Sequence, residues 1–195
     1  AHKLHAPKGI GLLYVRRGVA WQPYVMGGGQ ESGRRGGTEN VAQIAAFGRA
    51  AELAMASLEN DTGRIRALRD RMEDGIMSSI EGVTRNGAKE PRLLNTSNLS
   101  FANCEAEAVL LLLDREGICA SSGSACTTGS LAPSHVLTAM GVSPEHALGS
   151  VRLSLSKYTT DAEVDFLLEK LPPMIAKLRG ASPRAAEPAV QSAGL

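Results

Sequence analysis

The sequence predicts an α/β chain. Apolar, β-prone segments alternate with segments of helical periodicity. Glycine, proline and asparagine punctuate the joins between them. Aromatic residues make up only 4%, which leaves an aliphatic core. Residues 9–16 (GIGLLYVR), entered through a Pro7-Lys8-Gly9 turn, predict a buried strand. Residues 27–38 (GGGQESGRRGGT) predict a polar, glycine-rich loop. From Glu39 to about Glu59 the Ala-rich run predicts a helix, with Val41, Ile44 and Ala45 on one face and Ala51, Met55 and Leu58 following. Gly63 marks a break before a second helix, in which Ile65, Leu68, Met72, Ile76 and Ile80 step by three or four. Its charged face (Arg66, Arg69, Asp70, Glu73) reads as solvated.

Asn86-Gly87 is a turn signal, and residues 95–102 (NTSNLSFA) predict a strand. Glu105 to about Asp114 predicts a helix with a buried leucine run, closed near Gly117, and Ile118–Ala120 a short apolar strand. Residues 121–130 (SSGSACTTGS) are small and polar, which predicts a mobile loop, the least ordered internal segment of the chain. Pro133 to Met140 reads as a helix that stops at Gly141. In residues 150–156, Val151, Leu153 and Leu155 alternate with Arg152, Ser154 and Ser156, as in a half-buried strand. Thr160 and Glu163 form a capping-box pattern that opens a last helix. Its core stripe is Val164, Leu167, Leu168, Leu171, Ile175 and Leu178, and Pro172 and Pro173 are expected to kink it. Residues 180–195, rich in Ala, Pro and Ser, read as a disordered tail. This order suggests the end of a larger sheet domain over 1–40, a connecting helix over 41–59 and a small sandwich domain over 60–179, with its cysteine loop at 121–131.

At 195 residues the chain is long enough for a sizeable core, and its net charge of +1 argues against a nucleic-acid binder. No apolar run reaches the roughly 18–20 residues that span a bilayer, and no export signal opens the chain, so the expected location is cytoplasmic. Three cysteines, none in a zinc-ligand spacing, point away from both a disulfide framework and a structural metal. Cys119, between Ile118 and Ala120, reads as a small buried hydrophobe, and Cys104 less strongly so. Cys126 differs, because its neighbours are small, polar and turn-prone; an accessible thiol on such a loop is a candidate nucleophile. Lys3, beside His2, reads by itself as a solvated surface lysine near a terminus; the turn and strand that follow weaken that reading, because they place it on a loop at a sheet edge where catalytic residues concentrate. Arg152 is either an edge-strand arginine reaching solvent or a carboxylate clamp. Glycines around Arg34, Arg35 and Thr38 let backbone N–H groups approach an anion, but a glycine-rich loop alone is a weak signal and a plain surface loop is the preferred reading.

Five segments in order, AHKLHAPKGIGLLYVRRG, GGGQESGRRGGTEN, NTSNLSF, SSGSACTTGSLAPSHVL and VRLSLSKYTT, resemble the group I cysteine desulfurases of the NifS/IscS type. These are class V aminotransferase-like enzymes of the fold type I that binds pyridoxal phosphate. The resemblance runs from residue 1 to about 179 and implies the C-terminal part of the large domain plus a small α/β sandwich domain. It implies that Lys3 is the lysine bonded to pyridoxal 5'-phosphate, that His2 contacts the cofactor phosphate, and that Thr38 contacts the phosphate held by the opposite subunit of a homodimer. Cys126 would be the nucleophile that becomes a persulfide, Arg152 would bind the carboxylate of L-cysteine, and Asn95 would lie near the substrate. The sulfur would pass to an iron–sulfur scaffold protein, for nitrogenase or general clusters. No resident metal is implied; Cys126 would at most share a transient iron–sulfur ligand role with that scaffold.

The family's Ser-x-His-Lys pattern begins with a serine that would precede Ala1. The chain therefore reads as the C-terminal half of such an enzyme, and alone it is expected to be inactive. The rivals are a selenocysteine lyase or other aminotransferase of the same fold, and a persulfide-relay or scaffold-docking module without cofactor.

Overall fold

The computed structural model describes residues 1–122 and 133–181. The expected mobile loop beyond Ser122, Cys126 with it, and the expected tail beyond Ala181 lie outside the described residues. The chain divides into two compact units, Ala1–Asn60 and the residues from Asp61 onward.

The first unit opens with a 3-10 turn, His2–Leu4, closed by His5 in the left-handed region at φ 61°. The α-amino group of Ala1 donates to the Ile10 carbonyl at 2.8 Å. The strand expected over 9–16 does not form. Leu12, Leu13 and Tyr14 are exposed, and no neighbouring strand is present among the described residues of this unit. Strand propensity is realised through cross-strand packing, and without a ladder the segment stays unpaired. A distorted single turn, α1 (Gln30–Gly33), interrupts the glycine-rich loop, with Glu31 and Ser32 at positive φ. Helix α2 (Val41–Ser79) begins in this unit, where Val41, Met55 and Leu58 remain exposed.

Gly63 does not break that helix, which runs as one element through 39 residues. An interior glycine costs about 1 kcal/mol relative to alanine, less than the packing that follows it can recover. Ile65, Leu68, Met72, Ile76 and Ile80 are all buried, as the spacing predicts.

The second unit holds a four-stranded antiparallel sheet of β1 (Val83–Arg85), β2 (Thr96–Phe101), β3 (Ser121–Ser122) and β4 (Ser150–Ser154), in the order β1-β2-β4-β3. Helices α2, α3 (Ala106–Arg115) and α6 (Asp161–Ala181) bury their apolar residues against one face of it. That core joins Leu99, Phe101, Val151 and Leu153 of the strands to Met72, Ile76, Val109, Leu113, Val164, Leu171 and Ile175 of the helices. Thr160 and Glu163 cap α6 reciprocally: the Thr160 N–H donates to the Glu163 carboxylate at 2.8 Å, and the Glu163 N–H to Thr160 Oγ1 at 3.3 Å. The helix is continuous through Pro172 and Pro173.

Two short helices, α4 (His135–Ala139) and α5 (Pro144–Leu148), precede β4. The sequence reading missed α5, whose start is marked by Ser143 as N-cap and Pro144 in the first turn. Gly149 then brings the chain into the sheet. Its carbonyl accepts from the Phe101 N–H at 3.0 Å, and a Cβ there would lie 2.6 Å from the Phe101 carbonyl oxygen.

Three further expectations are corrected. The charged face of α2 is not uniformly solvated: Arg69 and Glu73 are 1% and 2% exposed. Their burial is tolerated because protein partners replace water. Arg69 donates to Asp70 and to the Leu93 carbonyl, while Glu73 accepts from Arg85, Arg92 and Ser97. The strand expected at Ile118–Ala120 begins instead at Ser121, because the Ile118 N–H is engaged by the Leu113 carbonyl at the exit of α3. Cys119 is consequently exposed rather than buried, and Cys104 is half-buried.

Candidate functional site

In the first unit, Lys3 and His2 lie on the 3-10 turn, which the Ala1–Ile10 hydrogen bond closes over the Lys8-Gly9 turn. Both side chains are exposed and make no hydrogen bond or ion pair among the described residues. Thr38 ends the glycine-rich loop, also exposed and unbonded among the described residues. The loop is pinched shut behind it. The buried Gly36 donates its N–H to the Val25 carbonyl at 2.9 Å, and a Cβ on Gly36 would stand 2.8 Å from the Gly27 backbone. Arg35 Nη1 donates to the Gly36 carbonyl at 2.9 Å. The unit thus carries a primary amine and an imidazole on the 3-10 turn and, separately, the Arg34 guanidinium and the Thr38 hydroxyl on the glycine-rich loop, none with an acidic partner among the described residues. An amine suits an aldehyde, and the remaining donors suit a phosphate dianion. The donor set therefore fits pyridoxal 5'-phosphate.

In the second unit, Arg152 sits at the middle of β4, between Asn98 of β2 and Ser121 of β3. Its neighbours in sequence, Val151 and Leu153, point into the core, so Arg152 stands on the face turned away from the helices. It is half-buried and has no acidic partner among the described residues. That face is polar. Asn86 Nδ2 donates to Asn98 Oδ1 at 2.6 Å and lies within hydrogen-bond distance of Ser100 Oγ at 2.8 Å and Ser150 Oγ at 2.9 Å. Ser150 Oγ also donates to Asn98 Oδ1, at 2.8 Å. Asn95 lies just before β2 and is committed elsewhere: its Nδ2 donates to the Leu155 carbonyl at 3.1 Å, and its carbonyl accepts the Leu155 N–H at 2.8 Å. It clamps the end of the β2–β4 ladder, in the register of the core-facing residues. Asn98 is the asparagine directly opposite Arg152.

The two units thus carry the sequence-predicted residues separately, His2, Lys3 and Thr38 in one and Asn95 and Arg152 in the other. Cys126 lies outside the described residues.

Residues 1–167 match the family described as aminotransferase class-V. The chain belongs to that family. Among curated relatives it is 56% identical over 182 residues to cysteine desulfurase 2 of Trichormus variabilis, covering 93% of this chain and 46% of that protein. It is 51% identical over 182 residues to cysteine desulfurase NifS of Azotobacter vinelandii, covering 93% of this chain and 45% of the relative. A solved structure of a NifS-like protein superposes with a TM-score of 0.80 at 38% identity, over 90% of this chain and 45% of the other. The chain therefore spans about half the length of the curated relatives it matches. Among the described residues no cluster of His, Cys, Asp and Glu could hold a metal ion, and no helix is long and apolar enough to cross a membrane.

The sequence reading missed Asn86, Asn98 and Ser150. The available signal was the second half of the alternation in NTSNLSF: if Leu99 and Phe101 face the core, Asn98 and Ser100 share the other face. What the sequence could not supply was the register that sets Asn98 against Arg152.

Proposed function

We propose that the complete protein is a cysteine desulfurase that converts L-cysteine to L-alanine and holds the sulfur as a persulfide on Cys126. The observation that carries this reading is Arg152, a guanidinium on an inner strand with no counter-ion among the described residues, in a chain that shares more than half its residues with a named cysteine desulfurase. A planar fork so placed suits the carboxylate of an amino acid.

Pyridoxal 5'-phosphate, when bound, supplies an electron sink conjugated to the substrate Cα. His2, and Thr38 of the opposite subunit in a homodimer, are the donors for its phosphate, with Arg34 as a further candidate. Lys3 anchors it. With substrate seated, the neutral Lys3 Nζ would take the Cα proton. Arg152 fixes the carboxylate, so the Cα–H bond is presented to Lys3 rather than left to tumble. Cys126, as thiolate, attacks the substrate Sγ. The S–S bond forms as the Cβ–Sγ bond breaks, the electron pair stays with the carbon fragment, and protonation of Cβ with return of the Cα proton from Lys3 yields alanine. The small, polar composition around Cys126 suits a thiol that must serve both the substrate and an outgoing acceptor. The acceptor on this reading is an iron–sulfur scaffold protein in the cytoplasm.

The test is to supply the complete protein with pyridoxal 5'-phosphate and L-cysteine and to quantify alanine. The parent forms alanine, Lys3→Ala forms none, and Arg152→Ala needs at least about tenfold more cysteine for half-maximal rate, as loss of a charge-assisted contact implies. A parent that forms no alanine, or an Arg152→Ala variant with unchanged cysteine dependence, contradicts the reading.

A further inference from the structure

We propose that Asn98 is a second receptor for the substrate carboxylate, acting beside Arg152 and setting the protein's preference for free α-carboxylates. The inference rests on the desulfurase reading and adds a residue to it.

The amide of Asn98 has a fixed orientation. Its Oδ1 accepts from Asn86 Nδ2 at 2.6 Å and from Ser150 Oγ at 2.8 Å. With the Asn86 NH₂ donating to it, that atom is the Asn98 carbonyl oxygen, which leaves Nδ2 on the other side. Asn86 is held in turn by its own contacts. Its backbone N–H donates to the Asn98 carbonyl at 2.9 Å, and its Nδ2 also reaches Ser100 and Ser150, both fully buried. A flip of the Asn98 amide alone would set its NH₂ against the Asn86 NH₂ and lose that bond, while the Ser150 hydroxyl could turn to accept. The network therefore positions Nδ2, and Nδ2 has no acceptor among the described residues.

Asn98 is the direct cross-strand partner of Arg152. Side chains so paired rise from the same face with Cβ atoms about 5 Å apart. On the other flank of Arg152 stands Ser121 of β3, a hydroxyl in the same row. The row thus carries an amide NH₂, a guanidinium and a hydroxyl, and among the described residues no carboxylate answers them. Had this been a structural salt-bridge position, an Asp or Glu would be the economical residue opposite Arg152. Asparagine instead adds donors without neutralising the cation. Such a pair suits a carboxylate that arrives with the ligand, one oxygen on the guanidinium and the other on the amide.

The test uses the complete protein with Asn98→Asp. Aspartate keeps an oxygen for Asn86 and Ser150 but replaces the donors with a charged acceptor beside Arg152. L-Cysteine and L-cysteinamide, which lacks the carboxylate charge, are compared as substrates. The expected result is a KM for L-cysteine raised about tenfold or more, kcat within about twofold of the parent, and a KM for L-cysteinamide little changed. If Asn98→Asp does not fold, Asn98→Thr serves, since its hydroxyl retains an acceptor and β-branching suits the strand; the same collapse of the cysteine preference is expected. Equal losses for both substrates, or an unchanged KM for L-cysteine, overturn the proposal while leaving the desulfurase reading in place. A parent protein that turns over neither substrate overturns both.

Discussion

Glu73 accepts from both terminal nitrogens of Arg92, at 2.8 and 2.7 Å, while only 2% exposed. Arg85 adds a third guanidinium contact at 2.8 Å and Ser97 a hydroxyl at 2.5 Å. One carboxylate on α2 therefore ties β1, the β1–β2 connection and β2 to the helix layer. Burial pushes the Glu73 carboxyl up, but the Arg92, Ser97 and Arg85 hydrogen bonds outweigh it and bring it from 4.5 to about 2.

That displacement makes the second unit acid-sensitive. A carboxyl with a depressed native pKa stabilises the fold fully above its unfolded value of 4.5, and the contribution is lost as pH falls toward 2. At 1.36 kcal/mol per unit the loss amounts to about 3 kcal/mol. Urea unfolding followed between pH 6 and pH 2 is expected to show it. Glu73→Gln should cost about 3–5 kcal/mol at neutral pH, because it strands two guanidinium groups, and should flatten the pH dependence over that interval. A Glu73→Gln protein with the parent's acid profile would show that the sensitivity arises elsewhere.

Gly149→Ala is expected to destabilise by about 1–3 kcal/mol. The new methyl would meet the carbonyls of Phe101 and Cys104 at 2.6 and 2.8 Å, and backbone cannot yield as a side chain does. Thermal unfolding checks this, and an unchanged Tm would mean that the α5–β4 junction relaxes freely.

How far the sequence disclosed this structure follows from the range of the forces involved. Periodicity located the buried stripe of α2 and α6, because Met72, Ile76, Val164 and Leu171 repeat at helical spacing whatever they pack against. Local chemistry located the Thr160–Glu163 cap, since both partners lie within one turn. The burial of Glu73 was not legible. Its partners stand 12, 19 and 24 residues away, and an α-helical Glu beside an apolar stripe looks solvated until they arrive. The strand expected over 9–16 failed for the converse reason, as β-propensity without a pairing partner does not make a ladder. Of the candidate site, Lys3, His2 and Arg152 could be proposed from the sequence as residues, whereas the placing of Asn98 beside Arg152 required the register of β2 on β4.

Gly36→Ala is expected to weaken retention of pyridoxal 5'-phosphate by roughly tenfold, the equivalent of about 1.4 kcal/mol. A Cβ at that position cannot be accommodated against Gly27 without opening the loop that carries Arg34, Arg35 and Thr38. Equilibrium dialysis of the cofactor against the complete protein reads this directly. Retention equal to the parent's would detach the loop from the phosphate.

The desulfurase account is tested most directly by following the sulfur. The complete protein is given ³⁵S-labelled L-cysteine without reductant, and protein-bound label and free alanine are counted together. The account requires label on the peptide that contains Cys126, released by dithiothreitol, in step with the first turnover of alanine, and no such label in Cys126→Ser with its cofactor still bound. Alanine formed without protein-bound sulfur, or label that survives Cys126→Ser undiminished, would contradict it.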